Sequence, residues 1–294
     1  VSDASKPKQH VGEAGTVAVT VDRPRREPTW VKPDQSGAMP RLRVKDLSHT
    51  YVDRSGQGVE AIHDIAFDVI DKPGIGEIIV FLGPSGCGKS TILKAVAGLI
   101  RPTQGEVFLD GKLIEEPGRD RGMVFQAYTS FSWLTVRENV EYGLKLHGVA
   151  RGERKALSEK YLEEVGLADF AERYPKDLSG GMKQRVAIAR TLINKPRVVL
   201  MDEPFGALDP QTRWGMQSLL LDVSRHEDNT TLFVTHDVSE AVYLADTVYV
   251  LSARPARVLH RIDVPFFEQR DAALKSKREF REIEEKLLDL LYAG

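Results

Sequence analysis

The stretch Phe81-Leu82-Gly83-Pro84-Ser85-Gly86-Cys87-Gly88-Lys89-Ser90-Thr91 decides how this chain is read. It fits G-x-x-x-x-G-K-[ST], the pattern of a loop that cradles phosphate. An apolar run, Ile78 to Leu82, predicts a buried parallel strand leading in, and Thr91 to Ala97 predicts the helix leading out. Gly98 is the expected stop of that helix, with Pro102 beyond it. Gly83, Gly86 and Gly88 permit backbone conformations that a side chain would forbid, so successive N–H groups can turn toward phosphate oxygens. Pro84, Ser85 and Cys87 complete the loop, and the helix N-terminus adds a favourable dipole. Lys89 supplies a charge for the β- and γ-phosphates, the Ser90 hydroxyl is placed to ligate Mg²⁺, and Thr91 opens the helix. The expectation is a nucleotide-phosphate site.

The whole chain has 294 residues, 41% hydrophobic and 29% charged, which suits a soluble globular protein of one large or two modest domains. A formal net charge of −2 and a pI near 6.4 give no support for a nucleic-acid-binding surface, so no nucleic-acid partner is expected. Cys87 is the one cysteine, which excludes an intrachain disulfide and suits a reducing compartment. No apolar stretch approaches the roughly 18–20 residues that span a bilayer. Thr16 to Val21 is too short and too polar for a secretory signal. A cytoplasmic protein is expected, unless a partner holds it at a membrane.

Residues 1 to 40 carry Pro7, Pro24, Pro28, Pro33 and Pro40 among mixed charges and read as a disordered or loosely attached tail. Arg41 to Val44 opens the ordered domain as a strand, Leu47 to Tyr51 follows, and Ala61 to Ile70 alternates as a further strand. In Gly105 to Leu113 the Asp110-Gly111 step predicts a hairpin and an antiparallel sheet edge. Arg121 to Phe125 is one more strand, ending on Gln126. The texture then turns helical, from about residue 128 to 195, with Thr135-x-x-Glu138 as a capping box and a helix from Lys155 to Val165 stopped by Gly166. That segment reads as an insertion into an α/β core. The core resumes with the strand Arg197 to Met201, ending in Asp202-Glu203. Asp209 and Pro210 suit the N-cap and first residue of the next helix. Thr231 to Thr235 is a strand ending at His236, a short helix follows, and Thr247 to Leu251 and Arg257 to His260 are the last strands. Phe280, Ile283, Leu287 and Leu290 recur at helical spacing, which predicts an amphipathic C-terminal helix within an extension, 266–294, that packs on its own domain or meets a partner.

A phosphate loop alone leaves kinases, GTPases, helicases and transport ATPases open. Leu178-Ser179-Gly180-Gly181-Met182 narrows the choice. Ser179 is a good N-cap, and Gly180 and Gly181 permit close approach, so a second helix N-terminus is built to face an anion. From about residue 41 to 265 the chain resembles the nucleotide-binding subunit of an ABC transporter, with the family's motifs in the family's order. Gly83 to Thr91 matches the Walker A loop, Gln126 the Q-loop, Leu178 to Met182 the signature and Val198 to Asp202 the Walker B strand. Glu203 then matches the catalytic glutamate, Ala207 to Asp209 the D-loop and His236 the switch histidine, while Tyr51 lies where the family places the aromatic that stacks on adenine. Met182 departs from the generic signature, which has Gln there, and resembles the nitrate, sulfonate and taurine importer branch.

The resemblance implies an α/β fold, a RecA-like P-loop NTPase core with an antiparallel β subdomain and an inserted α-helical subdomain. It implies two copies closing head-to-tail on two ATP molecules, each held between one copy's loop and the other's Ser179 to Gly181. Mg²⁺ would be held by Ser90, Asp202 and Gln126. Glu203 would polarise the attacking water, with His236, Gln126 and Lys89 also catalytic and Asp209 reaching across the dimer. The implied partners are a second ATPase subunit, a transmembrane permease and, indirectly, an extracytoplasmic solute-binding protein, at the cytoplasmic face of a bacterial inner membrane. A soluble ABC ATPase acting on DNA or ribosomes is the alternative. The chain shows neither the heptads nor the internal repeat such proteins usually carry. A regulatory module that holds ATP without turnover is a third class, opposed by Glu203 and His236.

Overall fold

The structure is a computed structural model and describes residues 10–11, 17–18, 40–70, 74–127, 129–266, 270–271 and 273–292. Most of the expected tail lies outside the described residues; within it, β1 (His10–Val11) and β2 (Val17–Ala18) pair antiparallel. The first long strands, β3 (Pro40–Val52) and β4 (Gly58–Ile70), also pair antiparallel. The sequence breaks β3 in two around Lys45-Asp46, but the strand runs through. Asp46 takes a φ of 49° and the register shifts between Val44 and Leu47, so the polar pair forms a bulge rather than an end.

β5 (Glu77–Leu82) leads into the glycine loop and α1 (Lys89–Ala97) leads out, ending on Gly98 with a φ of 74° and its N–H bonded to Ala95 O. β6 (Gln104–Leu109) and β7 (Lys112–Leu113) are joined by Asp110 and Gly111 at φ 47° and 74°, the positive pair that a two-residue hairpin turn demands. β8 (Arg121–Val124) follows. Then come α2 (Val136–Leu146), α3 (Arg151–Glu164) and α4 (Gly180–Leu192), with no strand among the described residues from 129 to 197. β9 (Val198–Asp202), α5 (Pro210–His226), β10 (Thr230–Thr235), α6 (Val238–Leu244), β11 (Thr247–Leu251), β12 (Val258–Asp263) and α7 (Arg278–Tyr292) complete the chain.

The six-stranded sheet has the order β12-β11-β5-β10-β9-β8, parallel except for β12, and a four-stranded antiparallel sheet has the order β4-β3-β6-β7. Strand alternation sorts the larger sheet's side chains into two cores. Ile78, Val80 and Leu82 of β5 join Val199 and Met201, Phe233, and Val248 and Val250 in a core shared with α2 to α7. Ile79 and Phe81, with Val198, Leu200, Leu232, Val234 and Tyr249, face α1 and the antiparallel sheet. The phosphate-loop helix is therefore clamped between two sheets. On α7, Phe280 and Leu287 are buried and Ile283 and Leu290 pack beside them, so this amphipathic face is covered by its own chain.

Candidate nucleotide site

Three neighbouring parallel strands deliver the site. β10 pairs with β5 on one side and β9 on the other, with Thr235 opposite Leu82 and Val234 opposite Asp202. The residues just past these strand ends, the glycine loop, Glu203 and His236, emerge side by side at the carboxyl edge where open α/β sheets bind ligands.

The loop requires its glycines in different ways. At Gly88 φ is 129° and a Cβ would stand 2.4 Å from Ala61 O, which only glycine permits. Gly86, at φ 74°, has nothing within 4 Å of a Cβ, so its backbone lies open to a ligand. Below Gly83 the Cys87 Sγ would be 3.2 Å from a Cβ, so Cys87 fills the underside of the loop. Burial pushes the Cys87 thiol up, against the pull of Lys89, so the thiol is protonated and sheltered rather than reactive.

Lys89 is 3% exposed; its ammonium donates to Gly83 O and Pro84 O, both at 2.9 Å, and lies 3.4 Å from Glu203 Oε1. Glu203 Oε2 is 3.2 Å from His236 Nδ1. Ser90 Oγ donates to Asp202 Oδ1 at 2.8 Å. Burial raises the Asp202 pKa, Ser90 donation pulls it down, and the Glu203 charge pushes it up again. Glu203 itself takes a φ of 44°, and its N–H bonds Val234 O at 3.1 Å. A left-handed glutamate is uncommon and costs roughly 1–2 kcal/mol, and here the turn aims the carboxylate at both Lys89 and His236. The Ser90 hydroxyl and Asp202 carboxylate are hard oxygen donors beside an open phosphate cradle, the set that suits Mg²⁺ carried by a nucleotide.

Tyr51 is half-buried, its hydroxyl 3.3 Å from Thr91 Oγ1 at the start of α1, and its ring meets His49 edge-on at 4.5 Å. It therefore stands beside the glycine loop. Gln126 is exposed just beyond β8. Among the described residues no hydrogen bond or ion pair ties Gln126, Ser179 or Asp209 to the Lys89 cluster. Ser179 and Asp209 are exposed and cap α4 and α5 through Met182 N at 3.3 Å and Thr212 N at 3.0 Å. The Thr212 hydroxyl, and after it the Thr212 N–H, hold the Asp209 carboxyl below the usual carboxylate pKa. A Cβ on Gly181 would stand 2.4 Å from Thr212 Cγ2, so the two capped helix starts abut. Met182 offers its backbone N–H to the cap while its side chain packs on the helical core, so the cap bond does not depend on which side chain stands here.

Two residues that sequence reasoning passed over organise the surroundings. Asn139 is fully buried on α2 and bonds Phe131 N and the carbonyls of Phe131, Leu134 and Thr135, fixing the loop after Gln126. Arg190 on α4 donates to Thr129 O and Oγ1 and lies over the Phe131 ring. An asparagine on the apolar stripe of an expected helix was the legible signal for the first. Arg190 gave none.

The ABC transporter family pattern matches residues 70–206. An uncharacterized ABC transporter ATP-binding protein of Methanocaldococcus jannaschii is 47% identical over 85% of this chain and 91% of its own length. The nitrate import ATP-binding protein NrtD of Synechocystis sp. is 46% identical over 85% of this chain and 94% of its own length. The taurine import ATP-binding protein TauB of Rhizobium johnstonii is 42% identical over 86% and 97%. Among solved structures, the ATP-binding cassette MJ0796, in a dimeric post-hydrolysis state bound to ADP and Pi, superposes with a TM-score of 0.64 at 31% identity, over 76% of this chain and 98% of that one. Glycine cradle, buried lysine, paired acidic strand end and capped second helix thus occur together in a chain that belongs to the ABC transporter family, as one of its ATP-hydrolysing, ATP-binding subunits.

Proposed function

We propose that the chain energises an ABC importer, coupling ATP hydrolysis to uptake of a small solute, such as nitrate, taurine or another sulfonate, or bicarbonate, through a separate membrane permease. The observation that carries this reading is the 42–46% identity to nitrate and taurine import ATP-binding proteins over 85–86% of the chain. Among the described residues no helix is long and apolar enough to cross a membrane, so a separate permease would supply the path. The chain would work at the cytoplasmic membrane face, as a dimer of two such subunits.

In this reading the N–H groups of the Gly83 to Thr91 loop and the Lys89 ammonium hold the β- and γ-phosphates, and Tyr51 stacks on adenine. Ser90, Asp202 and Gln126 would hold Mg²⁺, which would neutralise phosphate charge when bound. Glu203 accepts a proton from water as its oxygen attacks the γ-phosphorus and the bond to the ADP oxygen breaks. General-base help of this kind is worth about 10²–10⁴-fold. His236, 3.2 Å from the Glu203 carboxylate, holds water and γ-phosphate in line. Ser179, Gly180, Gly181 and Asp209 serve the nucleotide of the second copy.

The test is affinity purification from native membranes with mass spectrometry of what co-purifies. A polytopic permease is the expected result, and its solute-binding protein would identify the solute. Ribosomal or DNA-repair proteins, with no membrane protein, would overturn the importer assignment.

A further inference from the structure

The turn that carries His236 is held from both sides by side chains that the nucleotide site does not use. Thr235, 2% exposed, accepts Asp237 N at its hydroxyl oxygen at 3.0 Å and hydrogen-bonds to the Glu240 carboxylate. Glu240 is 5% exposed and takes a second bond from Gln217 Nε2 at 3.0 Å. Gln217, buried on α5, accepts from Lys275 Nζ at 3.3 Å. Lys275 stands in a short turn, Leu274–Ser276, ahead of α7. Its ammonium lies 4.6 Å from the Trp214 ring centre and 4.8 Å from that of Tyr243. One cation of the C-terminal extension therefore bridges α5, capped by Asp209, and α6, capped by Asp237 next to His236. Arg213 ties the same two helix starts together, donating to Leu208 O at 3.1 Å and lying 3.6 Å from Asp237 Oδ2.

Physical chemistry gives the arrangement a purpose. A carboxylate as buried as Glu240 needs a countercharge to stay ionised, and the hydrogen bonds from Thr235 and Gln217 favour that ionised form. Burial pushes the Glu240 pKa up; the hydroxyl of Thr235 and the amide of Gln217 work against it. Burial lowers the Lys275 pKa, and the charges of Asp237, Glu240 and Glu284 raise it. Two aromatic faces and an amide oxygen fix the ammonium without neutralising it, which leaves its charge to act on Glu240 through Gln217.

We propose that Lys275 is a positioning residue for ATP hydrolysis, holding His236 in line through Gln217, Glu240 and Thr235. The inference rests on the role given to His236 above. Lys275→Met keeps the apolar stem between Trp214 and Tyr243 and removes the ammonium, with both its charge and its bond to Gln217. In the full-length chain with Mg–ATP, its kcat should fall about 3–10-fold with KM for ATP unchanged within about twofold, and Lys275→Arg should restore kcat to within about twofold. Placed in a His236→Ala chain, Lys275→Met should cost nothing more, because its effect passes through His236. Wild-type kcat in Lys275→Met, or an equal loss with and without His236, would overturn the proposal. Glu240→Gln, which keeps the shape of the side chain, should reproduce the loss of kcat without the loss of fold by circular dichroism; wild-type kcat there overturns it equally. Full turnover in His236→Ala alone would instead remove the role of His236 and, with it, this one.

Discussion

Asp202 shows how a single residue can be costly to the fold and necessary to the site. Its pKa is raised chiefly by burial, despite the Ser90 hydroxyl at 2.8 Å. A carboxyl group whose folded pKa exceeds its unfolded value, about 3.9, stabilises the fold fully only below that unfolded value, and the contribution is lost as pH rises through the folded pKa. At neutral pH the ionised side chain is therefore a net penalty to the nucleotide-free protein. Asp202→Asn keeps an acceptor for Ser90 and removes the charge, so its melting temperature without nucleotide should exceed that of the parent at pH 7, with the gap closing toward pH 4. Hydrolysis should fall by at least about 10²-fold, the penalty having been tolerated for phosphate and metal chemistry. Calorimetry at the two pH values checks this, and a lower melting temperature at pH 7 would refute it. Residue types made Lys89, Ser90, Asp202 and Glu203 legible, because a glycine loop and an acidic strand end have few other uses. The 44° φ of Glu203 was not legible, since no residue type in Met201 to Phe205 asks for a left-handed turn; it arises from where β10 takes the Glu203 N–H.

Among the elements, those with end signals of their own are legible in the sequence to within a residue or two. The Thr135 capping box opens α2, Asp209 and Pro210 open α5, and Gly98 closes α1, because caps are local chemistry. In the sequence β3 looks like two pieces because its bulge is not local. It depends on Gly105 of β6, at φ 83°, where a Cβ would stand 2.4 Å from both Lys45 O and Asp46 O. Gly105→Ala should therefore lose about 2–4 kcal/mol in urea unfolding, combining backbone strain with a clash against main chain that cannot rotate away. Gly56→Ala is the matched control. Gly56 has φ 85° with nothing within 4 Å of a Cβ, so only the conformational cost, about 1 kcal/mol, should appear. Equal losses at the two positions would mean that the bulge is not held by that contact.

At the scale of the molecule, the order of motifs along the chain was plain, while the strand order β12-β11-β5-β10-β9-β8 was not, because sequence does not say on which side of β5 each later strand inserts. Nor do residues alone say whose nucleotide Ser179 serves. Ser179 and Asp209 are exposed, their helix starts touch at Gly181 and Thr212, and their bonds are caps within their own helices. Two helix N-termini presented together on one face suit an anion brought by another body. If two copies close head-to-tail, Ser179→Ala disables the site built on the partner's loop, whereas Glu203→Gln disables the site on its own. Each pure variant should then have little turnover. An equal mixture should recover activity, since half the dimers are mixed and each mixed dimer holds one site with both Ser179 and Glu203 intact. For independent sites the recovery is about a quarter of the parent rate. Strict coupling between the two sites lowers that figure, and mixing the parent with Glu203→Gln measures the coupling directly. If Ser179 instead served its own chain's nucleotide, every site in every mixed dimer would carry one lesion, and the mixture would be as inactive as its components whatever the coupling.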